Sequence, residues 1–384
     1  MTTRPTLRVA HVIDSLAGSG GAENRLVDEV VALDDRAEQM VVRLYEQDFL
    51  DDRLAAAGIP VVALGFRARY AARTWPVAAR RLRAVLGRWR PDVVHTSLVS
   101  GNLVGQLAAA RLGIPVVSTF NRTGDLGQLR GLLPGQAGWK ARIMHALAAR
   151  VARRGDVHYR AVGRYALDTN CASLGLPSER ATVVPRGVDV GAVAPVPRAE
   201  LGVPDDVPLV VNVARLVPEK AQHLLVEAFA AARGELPGAH LLVAGAPGGN
   251  QQAVLDAVER YGLGDAVHLL GFRADARALV ASADVFGFSS LSEGSPGAVV
   301  EAMHLGTPVA AFDIPPVAEL TGDGEHAWLA PAGSAEALAK AVVAAARAPD
   351  RLARARAAQA WAERYSLAAV ADQLADLLTS RVRT

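Results

Sequence analysis

The chain has 384 residues, of which 51% are hydrophobic and 21% are charged, and its formal net charge is +2. This composition is typical of a folded globular protein and excludes collagen-like and low-complexity chains, while the length fits two domains of ordinary size. One cysteine, Cys171, excludes an internal disulfide. The N-terminus lacks the apolar run of a signal peptide, and no stretch approaches the ~20 apolar residues of a membrane span. We therefore expect a cytoplasmic protein.

The small net charge conceals an uneven distribution along the chain. Residues 1–190 contain 26 Arg and Lys against 17 Asp and Glu, a net charge of +9, whereas residues 191–384 contain 15 against 22, a net charge of −7. The basic residues concentrate in two stretches, 67–90 and 139–154. This pattern favours contact of the first half with an anionic membrane surface on the inner face of the cell membrane. The alternative is a set of solvated arginine-rich helix faces. We expect no nucleic-acid partner.

In the first half, short apolar runs alternate with amphipathic stretches, which predicts βα units and a parallel sheet. The spacing predicts strands over 7–13, 40–45, 92–97, 115–120 and 157–162. Residues 22–33 are predicted to form a helix, because Leu26, Val27, Val30 and Val31 then share one face.

A second series of βα units follows a stretch rich in Gly and Pro. Its predicted strands are 207–214, 240–245, 267–272, 284–290 and 308–312. We therefore predict two doubly wound α/β domains, which are Rossmann-like and face a cleft between them. The predicted divisions are an N-terminal domain (1–190), a linker (191–206), a C-terminal domain (207–360) and a terminal helix (361–384) that packs back on the N-terminal domain.

Cations and acids follow the predicted strands of the second domain. In a parallel α/β sheet, ligands bind beyond the carboxyl ends of the strands. Arg215 and Lys220 lie between a strand and its following helix, and a guanidinium with an ammonium at that place suits a pyrophosphate. The alternative is two solvated loop cations.

The stretch SSLSEGSPGAVVEAMHLGTPVAA, residues 289–311, places two glutamates around a Gly-Ser-Pro-Gly turn. Ser295 is predicted to cap a helix whose first residue is Pro296, so the helix start offers backbone N–H groups to an anion. Glu301 then lies roughly 7 Å further along the helix, a reach that suits ribose hydroxyls. Glu293 lies in the loop and can reach a sugar. The alternative pairs Glu301 with an arginine and leaves Glu293 exposed.

Several of these motifs occur in the order of a known family. ARLVPEKAQHLLVEAF, VHLLGF and ADVFGFSSLSEGSPGAVVEAMHLGTPVAAFDIPPVAEL resemble the retaining GT-B glycosyltransferases of the glycogen-synthase-like "group 1", glycosyltransferase family 4. The Glu-x7-Glu spacing from Glu293 to Glu301 is the hallmark of that family. The resemblance covers nearly all of the second domain. The first domain is similar more loosely, through HVIDSLAGSGGAENRLVDEV, PDVVHTS and VVPRGVD.

The resemblance implies a retaining glycosyltransferase that uses a nucleotide-sugar, with UDP favoured and GDP as the other choice. It implies that the donor lies on the second domain and that the acceptor, perhaps a lipid-linked or cell-envelope glycan precursor, docks on the first. Arg215 and Lys220 would bind the diphosphate, with Glu293 at the donor sugar as the third catalytic residue. Glu301 would bind the ribose, and Gly271 with Phe272 would receive the base. Backbone N–H groups for the phosphates would come from Gly20, Gly21, Gly294, Ser295 and Gly297. No cofactor is implied, and because the chain has no Asp-x-Asp triplet, no metal is expected.

The first domain departs from the family pattern in two places. A histidine that often touches the donor sugar is replaced by Asn121, with Arg122 beside it, and the usual Pro-Asn-Gly turn contains Arg186. Asn121, Arg122 and Arg186 are candidates for the acceptor side. His95 is a fourth candidate, although a buried histidine with satisfied hydrogen bonds explains it equally well, and His11 is predicted to be core.

Three other functions are compatible with parts of the sequence. A non-catalytic sugar-nucleotide-binding protein would explain the missing histidine. GSGGAE after a strand is also a loose dinucleotide fingerprint, which would suit an NAD-dependent oxidoreductase, but no clear ribose-binding acid follows it at the usual distance. A GT-B epimerase would not require the Glu293–Glu301 spacing together with Arg215 and Lys220.

Overall fold

The computed structural model describes residues 7–18, 21–33, 36–67, 74–121, 146, 149–153, 156–189 and 191–382. The chain divides into two compact units. Unit 1 comprises Met1–Gly187 with Ser366–Thr384, and unit 2 comprises Val188–Tyr365.

Unit 1 is built on a parallel sheet of seven strands, in the order β3-β2-β1-β4-β5-β6-β7. Between β1 and β4 the strand order changes direction, which makes this pair the switch point of a doubly wound sheet. The strands are β1 (Leu7–Ile13), β2 (Ala37–Tyr45), β3 (Val61–Phe66), β4 (Val93–Ser97), β5 (Val116–Phe120), β6 (Val157–Ala161) and β7 (Ala181–Val183). The described helices are α1 (Gly21–Leu33), α2 (Asp51–Ala56), α3 (Trp75–Trp89), α4 (Val99–Ala110) and α5 (Arg164–Leu174).

Unit 2 repeats this plan with six parallel strands, in the order β10-β9-β8-β11-β12-β13, and its switch point lies between β8 and β11. The strands are β8 (Leu209–Val213), β9 (His240–Ala244), β10 (Val267–Gly271), β11 (Val285–Phe288), β12 (Val309–Asp313) and β13 (Trp328–Pro331). The helices are α6 (Gln222–Ala232), α7 (Gln251–Arg260), α8 (Ala276–Ala281), α9 (Gly297–His304), α10 (Pro315–Leu320), α11 (Ala335–Arg347) and α12 (Arg351–Ala362).

The two points at which the chain passes between units differ from the predicted divisions. The predicted linker, 191–206, belongs to unit 2, because Val203 is buried in a cluster with strand residues such as Leu209. The chain returns to unit 1 after Tyr365, and α13 (Leu367–Thr379) packs there against the sheet. Gly187 has no room for a side chain, since a Cβ would lie 2.8 Å from a methyl group of Leu367.

The cores explain why these segments form parallel strands. The central strands of both sheets are almost completely buried, as expected when helices cover both faces. Leu26, Val27 and Val30 of α1 are buried together, as its periodicity predicts, whereas Val31 is half-buried. In the described part of the chain, no helix combines the length and the low polarity needed to cross a membrane.

Candidate functional site

The loop that follows β8 carries both predicted diphosphate-binding cations at the switch point of the second sheet. Arg215 is exposed and forms no ion pair with any residue that the structure describes. Lys220 ends a short 3-10 turn, Pro218–Lys220, just before α6. The next residue, Ala221, is buried and has a φ of 44°, a left-handed conformation that a non-glycine residue adopts only at a cost. The surrounding structure therefore fixes the backbone at Lys220.

The glycine-rich turn after β9, residues 245–249, packs against the backbone of the Arg215 loop. A Cβ on Gly245 would lie 1.9 Å from the carbonyl oxygen of Ala214, and a Cβ on Gly248 would lie 2.5 Å from that of Leu216. Because no side chain fits at either position, the two backbones pack directly on each other. Close approach of the main chain therefore explains the glycines of the turn GAPGG, residues 245–249, and this packing supports the backbone of the Arg215 loop.

A buried amide network, which the sequence did not reveal, also holds this loop. Gln222 Nε2 donates to the carbonyl oxygen of Arg215 at 2.9 Å, and Asn250 Nδ2 donates to Gln222 Oε1 at 2.9 Å. His223 Nδ1 lies 3.1 Å from Asn250 Oδ1. This chain of bonds orients the backbone of Arg215 and leaves its guanidinium exposed.

Lys220 and Glu293 form an ion pair between their Nζ and Oε1 atoms, in which both side chains are mostly buried. Glu293 follows β11, the strand next to β8, so the sheet brings together residues 73 apart in sequence. Two further bonds align the segments, since Ser289 Oγ donates to the carbonyl oxygen of Lys220 and the Leu291 N–H donates to that of Glu219, both at 2.9 Å. The alternative in which Glu293 is exposed is therefore wrong.

Helix α9 begins one residue later than predicted. Pro296 is not its first helical residue, because its ψ of 96° is extended, and Ser295 does not cap the helix. Gly297 is the first helical residue, Gly294 is buried and Ser295 is half-buried. Glu301 lies in the middle of α9, and its Oε1 lies 3.5 Å from Nη2 of Arg277 on α8. The alternative prediction that Glu301 pairs with an arginine is therefore confirmed for this residue.

The predicted base-binding pair lies at the end of β10. Gly271 has a φ of 65°, and its carbonyl oxygen accepts the N–H of Gly245 at 2.7 Å, which links β10 to the glycine-rich turn. Phe272 is 76% exposed. An aromatic ring that is so poorly covered is available to stack on a planar ligand.

In unit 1, two of the predicted acceptor-side residues lie in contact. Arg186 Nη2 donates to Asn121 Oδ1 and lies 3.5 Å from Oγ of Ser97, the last residue of β4. Asn121 follows β5, and its Nδ2 lies 3.3 Å from the same Ser97 oxygen. These residues occupy the carboxyl edge of the sheet, where ligands bind in this class of fold.

Arg186 is held by a buried ionic triad that the sequence did not predict. Arg160 on β6 forms a bidentate pair with Glu29 on α1, at 2.7 and 2.8 Å, and Nη1 of Arg186 donates to the same carboxylate at 2.7 Å. Arg160 and Glu29 are completely buried and Arg186 is 7% exposed. Burial opposes ionisation of Glu29, but the two guanidiniums outweigh it and lower the pKa of that carboxyl to about 2. Burial also lowers the pKa of Arg186, to about 10, although Glu29 acts in the opposite direction.

His95 is buried inside the first sheet, so the structure does not present it to a ligand. Its Nδ1 lies 3.0 Å from Nδ1 of His11 on β1, and its Nε2 lies 2.9 Å from Thr119 Oγ1. Burial is the main reason that the pKa of each histidine is lowered, in the case of His11 to about 4. The interpretation of His95 as a buried histidine with satisfied hydrogen bonds is confirmed, as is that of His11 as core.

The remaining predicted positions are only partly described. Gly21 is the first residue of α1 and is exposed. Gly20, Arg122 and most of the predicted basic stretch 139–154 lie outside the described residues. Within the part of the chain that the structure describes, no group of three or more His, Cys, Asp or Glu side chains is placed to hold a metal ion.

Both halves of the chain match a known family. A sequence model described as "Glycosyl transferases group 1" matches residues 195–363, and one described as "Glycosyltransferase Family 4" matches residues 19–192. The chain belongs to the group 1 glycosyltransferases. It is therefore a transferase, and its relatives support transfer of a sugar from a nucleotide-sugar donor.

Two curated relatives illustrate the similarity. A D-inositol 3-phosphate glycosyltransferase of Segniliparus rotundus is 29% identical over 76% of this chain and 67% of its own length. A 2-deoxystreptamine N-acetyl-D-glucosaminyltransferase of Streptomyces fradiae is 32% identical over 70% of this chain and 66% of its own length.

Among solved structures, HepE of Anabaena in complex with UDP and glucose has a TM-score of 0.80, with 24% identity over 97% of this chain and 100% of that chain. WaaG, a glycosyltransferase of lipopolysaccharide biosynthesis, has a TM-score of 0.72 with 16% identity over 97% of this chain and 100% of that one. With two parallel doubly wound sheets, the fold is GT-B. The predicted fold class and the predicted family are both confirmed.

Proposed function

We propose that this chain transfers a sugar from a UDP-sugar to an acceptor hydroxyl, with retention of anomeric configuration and without a metal ion. The observation that carries the proposal is the arrangement at the β8/β11 switch point, where exposed Arg215 and the Lys220–Glu293 pair share one edge of the sheet. UDP is favoured because the similar HepE structures contain UDP, UDP with glucose, or UDP-glucose.

The chemistry follows from the charges at that edge. Transfer breaks the bond between the sugar C1 and a phosphate oxygen, so negative charge grows on the departing diphosphate. Arg215 and Lys220 stabilise this charge electrostatically, which is usually the largest contribution to such catalysis. The N–H groups at the start of α9 add the positive end of a helix dipole. The acceptor hydroxyl attacks the same face of C1 and passes its proton to an oxygen of the leaving diphosphate.

The remaining donor contacts are assigned to two acids. Glu293 binds hydroxyls of the donor sugar, and Glu301, four residues into α9, binds the ribose hydroxyls. Arg277 lies beside Glu301. When the ribose binds, the Arg277 side chain must therefore share the Glu301 carboxylate with the ribose hydroxyls or move away from it. Because two cations of the protein balance the diphosphate, we expect full activity in the presence of EDTA.

The acceptor is proposed to be a cell-envelope or lipid-linked glycan precursor at an anionic membrane. A lipopolysaccharide core biosynthesis glycosyltransferase of Rhizobium meliloti has a role of this kind and is 29% identical over 61% of this chain and 71% of its own length. Helix α3 supports a surface contact, since Arg80, Arg83 and Arg88 are exposed and the helix contains no acidic residue. None of these three arginines forms an ion pair with a described residue.

A thermal-shift screen with UDP, GDP, ADP and their sugars tests the donor assignment first. We expect the largest stabilisation with UDP and UDP-sugars. Radiolabelled UDP-sugars with EDTA then report transfer or slow hydrolysis, and NMR of the product gives the configuration of the new bond. Binding of a UDP-sugar without any turnover over a broad acceptor panel would instead favour a binding protein, and an inverted product would exclude retention.

A further inference from the structure

Phe49 is the most exposed large hydrophobic side chain in the part of the chain that the structure describes. It is 79% exposed, Phe272 is 76% exposed, and the next, Leu352, is 54% exposed. Phe272 has an expected ligand, the base of the donor, whereas Phe49 has none. Single exposed hydrophobic residues are common, so exposure alone gives Phe49 no role. The position of Phe49 in the fold, the support of its backbone and the charges around it are the features that point to a ligand.

Phe49 lies where ligands bind in a doubly wound sheet. It follows β2, and the loop against which it packs follows β1, the neighbouring parallel strand. The carboxyl ends of these strands lie at the same edge of the first sheet as Ser97. The family resemblance assigns the acceptor to the first domain, so an apolar ring at this edge is placed on the acceptor side of the reaction.

The backbone on both sides of Phe49 is fixed. The N–H of Leu16 donates to the carbonyl oxygen of Gln47, and the N–H of Leu50 donates to that of Leu16, both at 3.0 Å. Leu50 is 3% exposed, so it anchors the chain in the core directly after Phe49. The ring itself lies close to the chain after β1, because a Cβ on Gly18 would be 2.7 Å from Cδ1 of Phe49. A ring on a fixed loop loses less entropy when a ligand covers it than a ring on a free loop does.

The charges around Phe49 argue against an anionic partner. The segment EQDFLDD, residues 46–52, contains four acidic residues and no basic one, although residues 1–190 have a net charge of +9. Arg43 pairs with one of these acids and Arg67 with another, so four carboxylates against two guanidiniums leave a local charge of −2. Asp52 is exposed and forms no ion pair with a described residue. Aromatic residues that enter an anionic membrane surface are accompanied by Lys and Arg, so this setting does not suit a lipid surface.

A neutral sugar ring fits the same surroundings. The face of an aromatic ring is negatively polarised and attracts the C–H groups on one side of a pyranose, while the sugar hydroxyls can donate to nearby carboxylates. We propose that Phe49 is a specificity-determining residue that stacks on a pyranose ring of the acceptor at the carboxyl edge of the first sheet. The inference rests on the proposed glycosyl transfer and names a contact for its acceptor.

Saturation-transfer NMR tests this contact without turnover. The probes are the methyl α-D-pyranosides of glucose, galactose and mannose, each titrated in the presence of saturating UDP. We expect transfer from the wild-type protein to ring C–H protons of at least one glycoside, and a Kd that is roughly tenfold higher in Phe49→Ala. Phe49→Tyr keeps the aromatic face, so its Kd should stay within about a factor of two of the wild-type value. Phe49→Leu keeps an apolar side chain without the ring and should resemble Phe49→Ala.

The matched control is Leu352→Ala, which removes an exposed hydrophobic side chain of α12 in unit 2. It should leave the Kd for each glycoside unchanged. None of the Phe49 variants should lower Tm, because the side chain is mostly exposed. A glycoside that occupies the donor-sugar position in unit 2 does not respond to Phe49. Equal Kd values in the wild type and Phe49→Ala, or no transfer to any of the three glycosides, would therefore overturn the proposal.

Pelleting with phosphatidylglycerol vesicles separates a sugar from a lipid surface as the partner of Phe49. Phe49→Ala should pellet to the same extent as the wild type, and weaker pelleting would overturn the proposal by assigning the ring to the membrane. The proposed function fails by a different result, which is the absence of both a UDP-induced thermal shift and turnover of any UDP-sugar. That result would refute glycosyl transfer, whereas the glycoside titrations test Phe49 by themselves.

Discussion

Removal of the Glu293 charge should strengthen the binding of UDP while it weakens transfer. The Lys220 ammonium is paired with the Glu293 carboxylate. A diphosphate must therefore compete with Glu293 for Lys220, and it also approaches a negative charge. In Glu293→Gln the competitor is gone, so the ammonium is available to the diphosphate from the start.

The size of the effect follows from how far the pair is buried. The two side chains are 18% and 11% exposed, so the pair lies between a solvated surface pair and a fully buried one. We expect the lost competition to be worth about 1–2 kcal/mol, which corresponds to roughly a five- to thirtyfold lower Kd for UDP. The turnover of a UDP-sugar should fall in the same variant, because the neutral amide binds the sugar hydroxyls less well than the carboxylate.

Calorimetric titration of UDP at one fixed ionic strength measures the affinity directly. Glu219→Gln is the matched control, since Glu219 is the residue next to Lys220 but its side chain forms no ion pair with a described residue. It should change the Kd for UDP by less than about a factor of two. Weaker binding of UDP by Glu293→Gln would refute the reasoning, because it would mean that Glu293 orients Lys220 for the diphosphate instead of competing with it.

Three further outcomes are expected. Arg215→Ala should lower kcat/KM through a loss of about 2–4 kcal/mol of transition-state stabilisation, with no change in Tm. Lys220→Ala should lower both kcat/KM and Tm, because Glu293 loses its partner. Equal Tm values for the two variants would contradict the pairing of Lys220 with Glu293. The pKa of Glu29 is about 2 in the folded state and 4.5 in the unfolded state. Ionised Glu29 should therefore contribute about 3 kcal/mol to the free energy of unfolding above pH 4.5, and this contribution should be lost as the pH falls toward 2. Acid unfolding of Glu29→Gln should not show this loss. Wild-type protein should pellet with anionic vesicles at low salt. A variant should not pellet when all three exposed arginines of α3, Arg80, Arg83 and Arg88, are changed to Gln. Equal pelleting of the two proteins would exclude α3 as the contact with the membrane.

The histidine pair adds a second, less acidic pH window to the stability. The folded pKa of His11 is about 4 and its unfolded value is 6.5, so the unfolded state binds the proton first. Stability should therefore fall as pH decreases from 6.5 toward 4, before the carboxylate of Glu29 begins to titrate. This window bounds the pH range in which variants of unit 1 can be compared.

The sequence predicted the sheets well where strands are long and buried. β1 has the predicted bounds, and each of the other nine predicted strands appears within about three residues of its predicted ends. β3, β7 and β13 were not predicted, because they lie near sheet edges, where burial is incomplete and the apolar pattern is weak. The second-unit site was also predictable, since Lys220 and Glu293 follow neighbouring strands of a parallel sheet.

The supporting residues could not be predicted in the same way. Glu29 and Arg160 are 131 residues apart and sit within ordinary helix and strand patterns, so nothing local marks them as partners. Arg277 likewise gives no sign in the sequence that it lies beside Glu301. Side-chain pairing across a fold depends on which elements become neighbours, and spacing along the chain reports this only for residues at equivalent ends of adjacent strands.

The burial and the hydrogen bonds of an arginine therefore indicate its role better than its position in a motif does. Arg186 lies in a loop that resembles a family motif, yet it donates to the buried carboxylate of Glu29 and to the half-buried amide of Asn121, so a ligand could bind it only by breaking these bonds. Arg215 is exposed and held only through its backbone, so its guanidinium can pair with an incoming anion without leaving a buried charge behind. The proposed role of Arg215, which is to bind and release a diphosphate in each cycle, needs the second arrangement.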